Sequence, residues 1–219
     1  MHHIRFSGTE EVLKQLAEHH PALAGDLKQI ETAYLLLKTC FENGGRLLLC
    51  GNGGSAADCL HIAGELSKSF ILSRRPDPAF AGSVREMFPS DAEFLLGKLE
   101  RGLPAIPLVE NAALSTAVQN DTAPKLVFAQ QVYATGRKGD VLLGISTSGN
   151  SENVVYAAET AKAIGMQVIS LTGKGPNRLT PLSDCQIAVD ETETFLVQEL
   201  HLPVYHALCL MLEQAFFAE

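Results

Sequence analysis

Twice in 219 residues, a short apolar run ends in a small polar loop that leads directly into helical periodicity. The first is Leu47-Leu48-Leu49-Cys50, followed by Gly51-Asn52-Gly53-Gly54-Ser55. The second is Val141-Leu142-Leu143-Gly144-Ile145, followed by Ser146-Thr147-Ser148-Gly149-Asn150-Ser151. Runs without polar alternation suit strands covered on both faces, as in a parallel sheet. Each loop then stands where a strand's C-terminal end meets a helix N-terminus. Unpaired backbone N–H groups and the positive end of the helix dipole make that position suited to an anion. The first loop offers bare backbone through its glycines, and the second offers the hydroxyls of Ser146, Thr147, Ser148 and Ser151. Together they predict a pocket for a phosphorylated, hydroxyl-rich ligand, most simply a sugar phosphate.

The rest of the chain extends this pattern. Residues 8–43 read as two helices divided near Pro21, with Gly44-Gly45 stopping the second. Strands are predicted at 46–50, 105–109, 140–145, 167–172 and 185–189. Helices are predicted at 55–70, 111–119, 124–135, 151–164 and 193–217, the last interrupted by Pro203. Alternating strands and helices imply an α/β fold, a three-layer αβα sandwich with a central parallel sheet and an N-terminal helical extension over 1–44. The length suits a single domain spanning 1–219. Residues 71–104 stand apart, with Pro76, Pro78, Pro89 and Pro104 and a concentration of Arg. They read as an insertion or lid, within which Ser90-Asp91-Ala92-Glu93 resembles a capping box opening a short helix.

A net charge of −8 argues against a nucleic-acid or anionic-membrane surface, so any phosphate must be held by local donors. The five cysteines (Cys40, Cys50, Cys59, Cys185, Cys209) form no C-x-x-C pair and suggest buried thiols in a reducing compartment. The opening Met1-His2-His3-Ile4-Arg5 has no signal-peptide core, and no apolar run reads as membrane-spanning, so a cytoplasmic location is expected.

Gly51-Asn52-Gly53-Gly54-Ser55-Ala56 also satisfies G-x-G-x-x-A, the dinucleotide fingerprint. That fingerprint needs an acidic residue at the end of a second strand about 20 positions on. Here the region is Ser73-Arg74-Arg75-Pro76-Asp77, broken by proline, and the hydroxyl loop has no role in such a site. His61 and Glu65, four apart on the helix leaving the first loop, share one face among apolar neighbours. The last helix carries Gln198-Glu199-Leu200-His201 and Tyr205-His206 in an otherwise apolar run. His61, Glu65, Gln198 and His206 are chemically suited to Zn²⁺. Eight residues of helix rise by about 12 Å, however, so Gln198 and His206 reach one ion only through distortion at Pro203 or from different subunits.

The ordered set CGNGGS (50–55), His61-x-x-x-Glu65, Asn120-Asp121, GDVLLGISTSGNS (139–151), SLTG (170–173) and Gln198-Glu-x-His201…His206 resembles the phosphoheptose isomerase family of the sugar-isomerase (SIS) domain superfamily. The resemblance spans nearly the whole chain except about 71–104. It implies a cytoplasmic enzyme that interconverts sedoheptulose 7-phosphate and D-glycero-D-manno-heptose 7-phosphate for lipopolysaccharide and other bacterial surface glycans. It also implies a homotetramer with active sites between subunits and one Zn²⁺ per subunit. Carried over by position, the metal ligands are His61, Glu65, Gln198 and His206. The substrate contacts are Asn52, Gly53, Gly54, Ser55, Glu65, Asn120, Asp121, Ser146, Thr147, Ser148, Ser151 and Gln198. Glu65 is implied as the base that moves a proton between C1 and C2, with His206 protonating the adjacent oxygen or carbon.

The chain departs from the family in its extra segment, whose Arg74, Arg75, Arg85, Lys98 and Arg101 suit a lid that engages phosphate. Two alternatives stand beside the isomerase: an isomerase of another sugar phosphate, and a non-catalytic SIS protein of the replication-initiator-associating type. The latter proteins lack the full metal and acid–base set that this chain keeps. A sugar-phosphate-sensing domain would usually be fused to a DNA-binding module, and none is visible.

Overall fold

Leu47, Leu48, Leu49 and Cys50 are completely buried because their strand lies inside a sheet covered on both sides. A computed structural model describes Phe6 and residues 8–218, so the opening stretch read for targeting lies outside the described residues. Five parallel strands form one sheet: β1 (Leu47–Gly51), β2 (Ala105–Pro107), β3 (Val141–Ile145), β4 (Gln167–Gly173) and β5 (Cys185–Val189), in the order β2-β1-β3-β4-β5.

Side chains alternate between the two faces. Leu47, Leu49, Leu143 and Ile145 pack on one side, against α1 (Thr9–His19), α2 (Leu27–Glu42), α3 (Gly54–Ser67) and α9 (Thr194–Phe217). Leu48, Cys50, Leu142 and Val168 pack on the other, against α7 (Val127–Thr135) and α8 (Glu152–Ile164). The result is the three-layer sandwich. From β1 the chain crosses outward to β2 and then returns to place β3 on β1's other flank. The carboxyl ends of β1 and β3 therefore form the topological switch point, where open α/β sheets bind their ligands.

Several elements depart from the expectations. Helix α9 continues through Pro203 without interruption, and its 24 residues are long and apolar enough to cross a membrane by length and composition. Half of its most apolar stretch is buried in the protein, where it packs on α1, α2, α3 and the sheet. Residues 71–104 contain two helices, α4 (Pro78–Met87) and α5 (Ala92–Lys98), of which the sequence reading named only the second. Pro78 sits at the first turn of α4, and Asp77 caps it by accepting from the backbone N–H of Ala79 and Phe80. The Ser90/Glu93 capping box does not form. Asp91 is the N-cap of α5, Ser90 Oγ bonds the Asp91 carboxylate, and Glu93 turns to Arg85.

The expected role of Arg74 changes most. It is completely buried, with Nε 2.9 Å from Glu213 Oε1, and its Nη1 and Nη2 donate to the Leu66 and Glu65 carbonyls at 2.8 and 2.9 Å. The guanidinium thus closes the C-terminal turn of α3. The Glu213 carboxylate, in turn, accepts from the N–H groups of Phe70, Ile71 and Leu72. This buried pair anchors the root of the 71–104 segment to α3 and α9, and its guanidinium is spent before it could meet a ligand. Breaking a buried, hydrogen-bonded pair costs about 3–5 kcal/mol because the remaining charge is uncompensated. Arg74→Ala and Glu213→Ala are each expected to lower unfolding free energy in urea by that amount, and the double variant by much less than their sum. Single-variant losses below about 1 kcal/mol would show that the pair does not anchor the segment.

Candidate active site

Parallel pairing sets Cys50 beside Gly144 and Gly51 beside Ile145, so both loops emerge at the same level of the sheet. Between them lies a cavity of about 280 Å³ lined by Gly53, Gly54, Ser55, Ser146, Thr147, Ser151, Thr194 and Gln198, with Asn52 and Ile145. It is bordered by the first residues of three helices, α3, α8 and α9, and no side chain caps any of the three. Their N–H ends and the loop hydroxyls are donors suited to an anion, and the lining contains no lysine or arginine. This fits an acidic chain that must hold phosphate by local donors.

The loop residues have distinct tasks. Ser146 and Ser151 hydroxyls stand 3.0 Å apart, so Ser151, although the N-cap of α8, turns its side chain toward the cavity partner. Asn52 pairs reciprocally with Asn153 in the first turn of α8, at 2.9 and 2.8 Å, tying the first loop to that helix. Gln198 packs close against Gly54: a Cβ there would stand 2.5 Å from Gln198 Nε2 and would push that amide aside. Ser148 is exposed and accepts from the Asn150 N–H at 3.2 Å, outside the cavity lining. Asn120 and Asp121 bond each other at the exposed end of α6 (Ala112–Asp121) and also lie outside it.

Further along α3, His61 Nε2 faces Glu65 Oε1 at 3.3 Å, while its Nδ1 meets the Tyr205 hydroxyl at 3.0 Å. His206 packs edge-on against His61, with ring centroids 5.0 Å apart, and its buried Nε2 has no hydrogen-bond partner. Burial, then the neighbouring His61, holds the His206 pKa below the ordinary imidazole value, opposed by Glu65. Tyr205 is held above the usual phenol range by burial, then by the charge of the nearby Asp58 carboxyl. His61 thus bridges the Tyr205 hydroxyl on α9 and the Glu65 carboxylate on its own helix through its two ring nitrogens. Two imidazole nitrogens and a carboxylate in one cluster form the donor chemistry of a zinc site with an open position. Among the described residues, no three His, Cys, Asp or Glu side chains already converge as a cage.

Gln198, expected both as ligand and as substrate contact, sits at Gly54 with the anion loops. With α9 unbroken at Pro203, it is about 12 Å of helix rise from His206. From this position, Gln198 could complete a metal set only from a second copy of the chain. Sequence reasoning did not single out Asn153, Thr194, Asp58 or Tyr205 as site residues. Tyr205 adjoins His206 in the same polar interruption of an apolar helix, and that was the available signal.

A domain with two anion-holding loops at the switch point of a parallel sheet, and an acid–base cluster on the helix between them, defines a sugar-phosphate-handling α/β protein. The SIS domain family model matches residues 10–101 and 98–173. The phosphoheptose isomerase of Helicobacter pylori strain P12 is 38% identical over 210 residues, covering 94% of this chain and 95% of that one. That of Desulfovibrio desulfuricans is 40% identical, covering 85% and 76%. The structure of phosphoheptose isomerase GmhA from Neisseria gonorrhoeae aligns with a TM-score of 0.70 at 33% identity, covering 94% and 98%. The chain belongs to the SIS-domain family and, within it, to the phosphoheptose isomerases.

His201, in the same polar stretch of α9, is completely buried, and burial lowers its pKa to about 4 against a weaker pull from the Thr172 backbone. A folded pKa below the unfolded value of about 6.5 means that the unfolded chain binds the proton first. His201 therefore contributes stability above pH 6.5 that is lost as pH falls from there toward 4, by an amount on the order of 3 kcal/mol. Unfolding of His201→Phe in urea across this range is expected to show a flatter pH dependence than the native chain. An identical slope would mean that another group carries it.

Proposed function

We propose that this protein interconverts sedoheptulose 7-phosphate and D-glycero-D-manno-heptose 7-phosphate through an enediolate. The observation that carries this reading is the spacing of two sites along α3. The anion cavity lies at Gly54, and the His61/Glu65/His206 cluster begins seven residues on, about 10 Å along the helix. An extended seven-carbon sugar phosphate spans roughly 10 Å from phosphorus to C1, given C–C bonds of about 1.5 Å. Phosphate held by the N-termini of α3, α8 and α9, with Ser146, Thr147 and Ser151, would thus deliver C1 and C2 to the cluster. The Asn52–Asn153 clasp fixes the cavity before the ligand arrives, which lowers the cost of orientation.

Glu65, half-buried beside His61, removes the proton from C1 of the ketose and returns it to C2 of the enediolate. His206, held neutral by burial, carries a proton between O2 and O1, as a neutral imidazole can without a full charge forming. Gln198, at the cavity wall, holds the sugar chain between the two ends. His61, Glu65 and His206 are the residues that would hold Zn²⁺. The ion would supply electrophilic polarisation of the substrate carbonyl. A metal-bound carboxylate is a weaker base, so the two tasks of Glu65 belong to different stages of the cycle.

The working unit is a homo-oligomer, proposed as a tetramer, with sites completed between subunits. Leu60 on α3 and Phe195 and Leu202 on α9 are exposed on the two helices that form the site, as surfaces that a second copy would cover. Asn120 and Asp121, displaced from the cavity within one chain, remain candidate substrate contacts of a neighbouring subunit's site. The proposed setting is the cytoplasm, with the aldoheptose product entering heptose for surface glycans.

Glu65→Gln and His206→Asn are each expected to lower turnover of sedoheptulose 7-phosphate by at least ~10²-fold without dissociating the oligomer. Unchanged turnover in either variant would remove that residue from the mechanism. Because Glu65 and His206 meet at His61 within one chain, mixing the two variants under conditions of subunit exchange is expected to restore no activity. Recovery on demonstrated exchange would show instead that the residues of one site come from different chains.

A further inference from the structure

A cavity of about 460 Å³ lies away from the crevice, between residues 73–76 and the α4–α5 pair. It shares no lining residue with the anion cavity of the loops. Its lining brings together Arg75, Arg85 and Lys98, with Leu96 and Leu99 forming an apolar wall. Arg74 also borders it, but its guanidinium is fully engaged by Glu213 and the α3 carbonyls. The one carboxylate in the lining, Glu100, is committed to Ser69, accepting from its N–H at 3.0 Å and its hydroxyl at 2.9 Å. Those bonds hold the Glu100 pKa below the ordinary carboxylate value. Arg85 makes only an exposed contact with Glu93 at 3.4 Å, and Arg75 and Lys98 have no ion-pair partner among the described residues. Three cations thus share one concavity in a chain of net charge −8, and no carboxylate in its lining is free to neutralise them.

We propose that this cavity is a second anion site, which takes a phosphorylated small molecule other than the sugar phosphate in the crevice. The volume is that of a ligand pocket rather than of a single ion. Guanidinium and ammonium groups lining one concavity suit phosphoryl oxygens, while Leu96 and Leu99 receive the less polar body of the ligand. Arg74, in the lining, ties this side of the cavity to Glu213 and to the C-terminal turn of α3.

The test is calorimetric titration of the native oligomer with inorganic pyrophosphate, compared with Arg75→Gln/Lys98→Gln. Two binding events per chain are expected for the native protein. One of them should weaken at least ~10-fold in the variant, while turnover of sugar phosphate and thermal unfolding stay unchanged. Lys98→Arg, which keeps the charge, is expected to retain both events. Pyrophosphate binding fully displaced by sugar phosphate, or equal affinity and stoichiometry in the double variant, would overturn the proposal. A fall in sugar-phosphate turnover in a folded variant would equally overturn it, by assigning these cations to the substrate itself.

Discussion

The parallel pairing of β1 with β3 is the constraint on which the site depends. Because the chain goes outward to β2 before returning, the two strands richest in buried leucine lie side by side, with Gly51 level with Ile145. Their loops can therefore share one anion. Each strand is held by burial on both faces, so the loops need contribute nothing to stability and are free to be glycine and serine. The Asn52–Asn153 clasp is the cross-link this register permits. A crevice formed by helix N-termini suits a phosphate without needing net positive charge on the chain.

Helix α3 connects binding to chemistry. Its N-terminus borders the anion cavity, its middle carries His61 and Glu65, and its last turn is closed by the buried Arg74. In the proposed reaction, groups on this one helix keep a fixed distance from the proposed phosphate site, and that spacing would match a seven-carbon chain. The neighbouring α9 supplies Gln198 at one level and Tyr205 and His206 at another, so the two helices act as paired rails along the proposed substrate.

Much of this was legible in the sequence, and the reasons are specific. Leu47-Leu48-Leu49-Cys50 and Val141–Ile145 are unbroken apolar runs, and a sheet buried on both faces is the arrangement that suits them. Gly165 stops α8 in the left-handed conformation that glycine adopts without strain, so that boundary could be read directly. The 71–104 segment was less transparent, because its prolines signal both breaks and helix starts. Pro78 proved to open α4, behind the Asp77 cap. Arg74 read as a ligand-seeking charge, but its partner Glu213 is 139 residues away, and only the tertiary fold brings the two together. The Tyr205–His61 contact, separated by 144 residues, was hidden in the same way. Pro203 was read as an interruption, yet the packing of α9 against three helices and the sheet keeps that helix continuous.

The central claim is that one crevice and one α3 cluster together carry out enediol isomerisation of a seven-carbon sugar phosphate. NMR of sedoheptulose 7-phosphate incubated in D₂O with the zinc-loaded native protein tests it most directly. Aldoheptose 7-phosphate is expected to appear, with solvent deuterium entering at the reacting carbon. Neither product nor exchange, from folded and metal-loaded protein, would contradict it.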